Sequence, residues 1–370
     1  MHNPLGCYHY VRSQTAPHHK CRIGPRQQMN TANAFIDAER VYGSTSKESA
    51  SRRTWKNGKI AQHGMSFETS FINPTMHSTE LIVQIWTAQH NRLALELKEL
   101  NQKWNDEQLF QEARRIVIAQ IQFITLNEYL PLLLGRKTMA KYEILEDSNE
   151  FTKYYDININ PCTLNAFAAA VGETNILDEI SQDDDIIGKA AVLIHRSRDH
   201  GIPGYTKFRE YCGGEKVEDV DLIVLALAEK PVHGSLVGLT LGCVLASQYQ
   251  KAIHGDQYWF SNDNGASSFS LEQLRAIRGG TKMSDIICQY LDSDEAAVQP
   301  NAFLTPDKFD NFPLSCLSHR LSTMSLDHWK QTPTELPPTT LYIEKLLREA
   351  ERMVEEQKEG SVETKRSNMF

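Results

Sequence analysis

Arg196-Ser197-Arg198-Asp199-His200-Gly201-Ile202-Pro203-Gly204-Tyr205 places two guanidinium forks, a carboxylate and an imidazole within five residues, closed by Gly-x-Pro-Gly. Such a set cannot sit unpaired in an apolar core. The segment therefore reads as a polar junction of salt bridges and anion contacts, with its glycines and proline as breakers. Taken alone, these ten residues have the pattern of a structural ion-pair network at a helix end, and nothing local assigns them chemistry.

Around this junction lies a chain of 370 residues, 41% of them apolar, enough for a sizeable core in one large domain or two ordinary ones. A net charge of -8 with scattered Lys and Arg gives no basic face, so no nucleic-acid partner is expected. No apolar run approaches the roughly 18 residues that span a bilayer. The longest, around Ile116 to Leu134, is interrupted by Gln120, Gln122, Asn127 and Glu128. Met1-His2-Asn3-Pro4 lacks the charged and apolar regions of a signal peptide. Among seven cysteines, Cys7 with Cys21, Cys212 with Cys243 and Cys288 with Cys316 are candidate pairs, Cys162 is odd, and the spacings match no zinc pattern.

Helical periods dominate, and the expected class is mainly α. Leu81 to Leu100 has apolar residues on most faces, interrupted by the polar His90-Asn91-Arg92, with His90 read as a hydrogen-bonded core histidine. A second helix is expected from Leu109 to Tyr129, with Leu109, Ala113, Ile116, Val117, Ile121 and Ile124 on one stripe and Pro131 ending it. Ser270-Leu271-Glu272-Gln273 has the form of a capping box, stopped by Gly279-Gly280. Pro333, Pro337 and Pro338 mark a linker after a main domain of residues 1–330. The remainder, 331–370, is that linker and an amphipathic helix, Leu341 to Lys358, with Ile343, Leu346, Leu347, Ala350, Met353 and Val354 on one side. Asn33, Asp37 and Glu39, with the Phe35 carbonyl, are oxygens that either converge on a hard cation such as calcium or cap the start of a helix.

Several segments in order are similar to the animal haem peroxidase family: Arg26 to Asn30 through Val41-Tyr42-Gly43-Ser44, Gln89 to Leu97, Gln111 to Val117, Glu128 to Gly135, and the Arg196 to Tyr205 stretch. The resemblance covers roughly residues 4 to 330. It implies a helical haem b enzyme that uses hydrogen peroxide to oxidise small reducing substrates, outside the cell, with a bound calcium. It puts Arg196 at the arginine that pairs with a haem propionate, and Asn33, Phe35, Asp37 and Glu39 at the calcium loop. It also puts Cys212 with Cys243, and Cys288 with Cys316, at family disulfides.

The same correspondence leaves the catalytic positions empty. The segment with the distal histidine has no counterpart here. Ile72 stands at the distal arginine, Thr75 at the haem-linked glutamate, Met76 where some members bond haem through a methionine, and Leu193 at the asparagine that orients the proximal ligand. The approach to the proximal histidine is present at Asn165 to Ala170, yet no histidine lies between His90 and His195. The family order skips on after Gly172 and again between Gly214 and Asp221. His195, in a glutamine's place, is the residue a rescued iron ligation would use. Two readings follow: a short form of a haem peroxidase with impaired catalysis, or a non-catalytic scaffold for adhesion or partner binding, with the Leu341 to Lys358 helix as a candidate contact.

Overall fold

A computed structural model describes residues 10–17, 23–61, 78–146, 150–172, 186–217, 226, 228–263, 265–293, 295–318 and 324–331. The Cys7–Cys21 pair, Ile72, Thr75, Met76 and the Leu341 to Lys358 helix lie outside these residues. At Leu193 only the backbone is described.

The elements in chain order are α1 (Glu39–Tyr42), α2 (Ser46–Arg52), α3 (Ser78–Leu100), α4 (Asp106–Ile124), a π turn (Thr125–Tyr129), α5 (Leu130–Leu134), α6 (Arg136–Lys141), α7 (Asn165–Gly172), α8 (Ile186–Asp199), α9 (Tyr205–Tyr211), α10 (Leu239–His254), α11 (Leu271–Gly280) and α12 (Met283–Leu291). Two-residue strands, Ala297–Val298 and Leu314–Ser315, pair antiparallel. The fold is mainly α, as expected.

The centre is the α3–α4 pair. Leu93 and Leu97 meet Ala113, Ile116 and Val117, all essentially inaccessible to solvent, with Leu109, Phe110 and Ile124 in the same cluster. Each fully buried side chain of this kind stabilises by about 1.5–3 kcal/mol. The α4 start is set by a reciprocal capping box: Asn105 Oδ1 accepts from Gln108 N at 2.8 Å, and Gln108 Oε1 from Asn105 N at 3.0 Å. The expected box at Ser270 and Gln273 is formed in the same way at α11.

Pro131 does not end the second helix. The ladder widens into the π turn, where Leu130 N bonds to Thr125 O, and Pro131 then falls in the first turn of α5. A missing N–H is tolerated there. Leu126, Leu130 and Leu134 are buried, so packing carries the helical run past the proline, and Gly135 at φ 75° stops it. The run Asp106–Leu134 is long and apolar enough to cross a membrane by length and composition, contrary to the sequence reading. In this fold it is a core helix, and its buried amides are engaged: Gln122 accepts from Phe260 N at 2.9 Å, and Gln89 donates to Gln120 at 3.0 Å.

Both expected later disulfides are formed, Cys212–Cys243 and Cys288–Cys316, while Cys162 is exposed and unpaired. Beside the first, the Glu229 carboxylate accepts from Tyr205 Oη, Arg209 Nη1 and the Thr240 N and Oγ1, all within 2.8 Å. Burial alone would raise the Glu229 pKa, but these donors hold it below the usual carboxylate range.

Candidate functional site

The Arg196 to Tyr205 stretch is a junction, but its partners come from the far N-terminal segment. α8 ends at Asp199, whose buried carboxylate accepts from Arg12 Nε at 2.6 Å, Ser13 N at 2.9 Å and Tyr10 Oη at 3.4 Å, with Arg26 Nε 3.6 Å away. Burial would raise the Asp199 pKa, yet the Arg12 and Ser13 hydrogen bonds outweigh it and the carboxyl titrates low. Gln28 Nε2 donates to Asp199 O, and His200 Nε2 bonds Ser13 Oγ at 2.6 Å. Asp199 is thus the hub that straps residues 10–17 and 23–28 onto the helix. Arg196 takes no part in it. It is half-buried in the last turn of α8 and close enough to Tyr10 and His200 to act on both electrostatically.

Asn33, Asp37 and Glu39 come together in one loop ahead of α1. Asn33 Nδ2 donates to Asp37 Oδ2 at 2.8 Å, Phe35 N to Asn33 Oδ1 at 2.8 Å, Asn33 N to Glu39 Oε2 at 3.0 Å, and Glu39 N to Asp37 Oδ1 at 3.1 Å. The loop is closed on its own donors. No group of three or more His, Cys, Asp or Glu suited to a metal occurs among the described residues. Gln122 Nε2 holds the loop to α4 through Ile36 O at 2.9 Å.

The polar interruption in α3 clamps a loop. His90 is fully buried, with Nε2 2.8 Å from Gly58 O and Nδ1 3.0 Å from Tyr42 Oη. A carbonyl can only accept, so the imidazole is the neutral Nε2–H tautomer and Tyr42 donates to Nδ1. Burial, reinforced by Arg53 and Arg114, pushes the His90 pKa down to about 4, against the Gly58 bond. Next to it Asn91 pairs with both Ile60 N (2.8 Å) and Ile60 O (2.9 Å). Arg53 closes the same loop onto the α4 N-terminus through Asp106 (2.7 Å) and Glu107.

Neither nitrogen of His90 is free for iron. His195 is exposed and stacked on Tyr10, His200 is bonded to Ser13, and His233 and His328 are exposed. His254 stacks on Tyr154 and bonds Glu143 O at 3.0 Å. The described residues therefore do not fit haem held through a histidine in a closed cavity.

A groove of about 980 Å3 lies elsewhere, along α4 from Asn105 to Gln122. Arg196 does not line it. Its walls carry Trp104, Tyr155, Trp259, Phe269 and Trp329, with Asp37 and Asp256 at one end. Burial and the nearby Asp37 charge raise the Asp256 pKa to about 6, against hydrogen bonds from Tyr258 N and Gln122. Arg114 lines the groove with its Nε buried and without a hydrogen-bond acceptor. Asp256 and Trp259 carry no motif in the sequence, and Arg114 stands there only as part of a run, so none of the three could be read as a groove residue beforehand.

A second buried acidic pair sits where the π turn meets α12. Burial raises Glu128 to about 7 and Asp285 to about 6, with Lys282 opposing both, and both Asp285 oxygens lack a donor. Folded-state pKa values above the unfolded ones mean that this pair supports the fold at low pH and withdraws that support as pH rises through 6 to 7. At pH 8 the Glu128→Gln/Asp285→Asn double variant is expected to gain about 1–3 kcal/mol over wild type, after discounting for solvent reaching Glu128, and to match it near pH 4. Urea melts at the two pH values check this; equal gains at both would contradict it.

The profile of the family described as animal haem peroxidase matches residues 1–185, 174–219 and 215–303. The joins, at 174–185 and 215–219, fall where the family order skips on in the sequence. Chorion peroxidase of Drosophila melanogaster is 26% identical over 438 positions, covering 88% of this chain and 54% of its own length. That aligned span exceeds the 370 residues of the chain, so positions of the relative lack counterparts inside it. Myeloperoxidase of Homo sapiens is 24% identical, covering 89% of this chain and 59% of its own. The chain spans about half the length of the curated relatives it matches. Among solved structures, peroxidase A from Dictyostelium discoideum superposes with a TM-score of 0.60 at 20% identity, covering 80% of this chain and 78% of that one. The chain belongs to the animal haem peroxidase family.

Proposed function

We propose that these 370 residues keep the peroxidase scaffold and lack peroxide-dependent turnover, as a short form of a haem peroxidase. The observation that carries this reading is His90: the buried histidine of the central helix pair spends both ring nitrogens on the Tyr42 and Gly58 contacts. The two joins in the family match support it, because the skipped segment after Gly172 is the one that would carry the proximal ligand. General acid–base catalysis and charge stabilisation each contribute factors of roughly 10²–10⁴, and the family correspondence assigns neither group to a residue of these 370. With haemin, hydrogen peroxide and guaiacol, turnover is expected at least about 10⁴-fold below a full-length family member assayed alongside. Turnover within tenfold of that reference would overturn the reading.

Two further properties belong to this proposal. The disulfides Cys212–Cys243 and Cys288–Cys316 favour an oxidising, extracellular setting. Calcium should bind weakly, because the oxygens of Asn33, Asp37 and Glu39 are already engaged and Asp37 is the one carboxylate kept from the family loop. Calorimetry is expected to find no binding tighter than about 10⁻⁴ M, the weak end of protein calcium sites. Tight binding lost in Asp37→Ala would contradict this.

A further inference from the structure

We propose that the groove along α4 is the dock for this chain's own C-terminal helix, Leu341 to Lys358. The last described residues are fixed at one end of that groove. Asn101 Nδ2 donates to Trp329 O at 3.0 Å, Gln331 N to Asn101 Oδ1 at 2.9 Å, Trp104 Nε1 to Gln331 Oε1 at 2.8 Å, and Trp329 Nε1 to Glu112 Oε1 at 2.8 Å. The chain therefore leaves the body from the groove itself, beside the start of α4.

Dimensions match. From Asn105 to Gln122 the groove follows about 26 Å of helix, and the 18 residues Leu341–Lys358 would span about 27 Å as a helix. The nine residues 332–340, stiffened by three prolines, reach at most about 30 Å, so the helix is tethered within range of the whole groove. Tethering at this length gives an effective concentration on the order of millimolar, which favours this segment over a free partner.

The chemistry matches as well. Ile343, Leu346, Leu347, Ala350, Met353 and Val354 fall on one side at helical spacing as an apolar stripe that needs cover, and the groove offers the partly exposed rings of Trp104 and Tyr155. Glu344, Glu351 and Glu355 follow one edge of the stripe.

The test uses the full chain and does not depend on the haem reading. A carbodiimide joins lysines to carboxylates at zero length, and peptides are mapped from the monomer band. Links from Lys358, at the edge of the stripe, to Glu107, Glu112 or Asp37 are expected. The Leu346→Asp/Leu347→Asp variant, which changes only the tail, should lose them and raise amide exchange at the exposed edge of residues 106–122 at least tenfold. Wild-type mapping decides even if that variant expresses poorly. Links confined to a dimer band would assign the groove to a second copy. No links, with exchange unchanged in the variant, would leave the helix undocked; either result overturns the proposal.

Discussion

Replacing His90 with alanine is expected to lower the unfolding free energy by about 3–5 kcal/mol. The change removes two buried hydrogen bonds and strands the Tyr42 hydroxyl and the Gly58 carbonyl, each at about 1–3 kcal/mol. It also opens a cavity against Phe110, whose ring stands 5.3 Å from the imidazole. The wild-type histidine leaves a pH signature. Its folded-state pKa of about 4 lies below the unfolded 6.5, so its stabilisation is complete above pH 6.5 and is lost as pH falls through 4. That loss amounts to about 3 kcal/mol. Denaturant melts between pH 7 and 4 should show an acid slope in wild type that is absent from His90→Ala. A full-sized effect on haem uptake with unchanged stability would instead make His90 a cofactor residue.

Gly58→Val should be at least as damaging, with a loss above about 4 kcal/mol and little soluble protein. Gly58 has φ +69°, and a Cβ there would stand 2.6 Å from Phe110 N, 2.7 Å from Leu109 Cβ and 2.8 Å from Leu109 C. These are atoms of the first turns of α4, which cannot shift without breaking the contact of Gly58 N with Asp106 Oδ1 at 2.6 Å. Even Gly58→Ala meets the same atoms and should lower the melting temperature by many degrees. A Gly58→Val protein with wild-type Tm would show that the 53–61 loop is not part of the clamp.

Much of the helical frame was legible because it rests on period. α3 and the α4 stripe follow from apolar spacing, with Ile82 exposed and Ile121 only partly buried at the margins. The Asn105-x-x-Gln108 box carried the same signature as the one at Ser270, and it places the α4 start about three residues earlier than apolar spacing alone does. The π turn was not legible, since Pro131 reads locally as a stop and the burial of Leu126, Leu130 and Leu134 decides otherwise. The site was harder. Asp199 could be recognised as paired but its partners, Tyr10, Arg12 and Ser13, are distant in sequence and carry no local signal. The groove depends on where 255–260 and 328–331 meet α4, which only tertiary packing determines.

The proposal of a scaffold without a histidine ligand for iron is tested most directly by titrating the full chain with haemin and following the Soret band. A broad, unshifted band that does not saturate at one equivalent, and is the same in His195→Ala, is the expected result. A sharp, saturable one-to-one Soret shift with the spectrum of histidine-ligated iron, lost in a single histidine variant, would contradict the account.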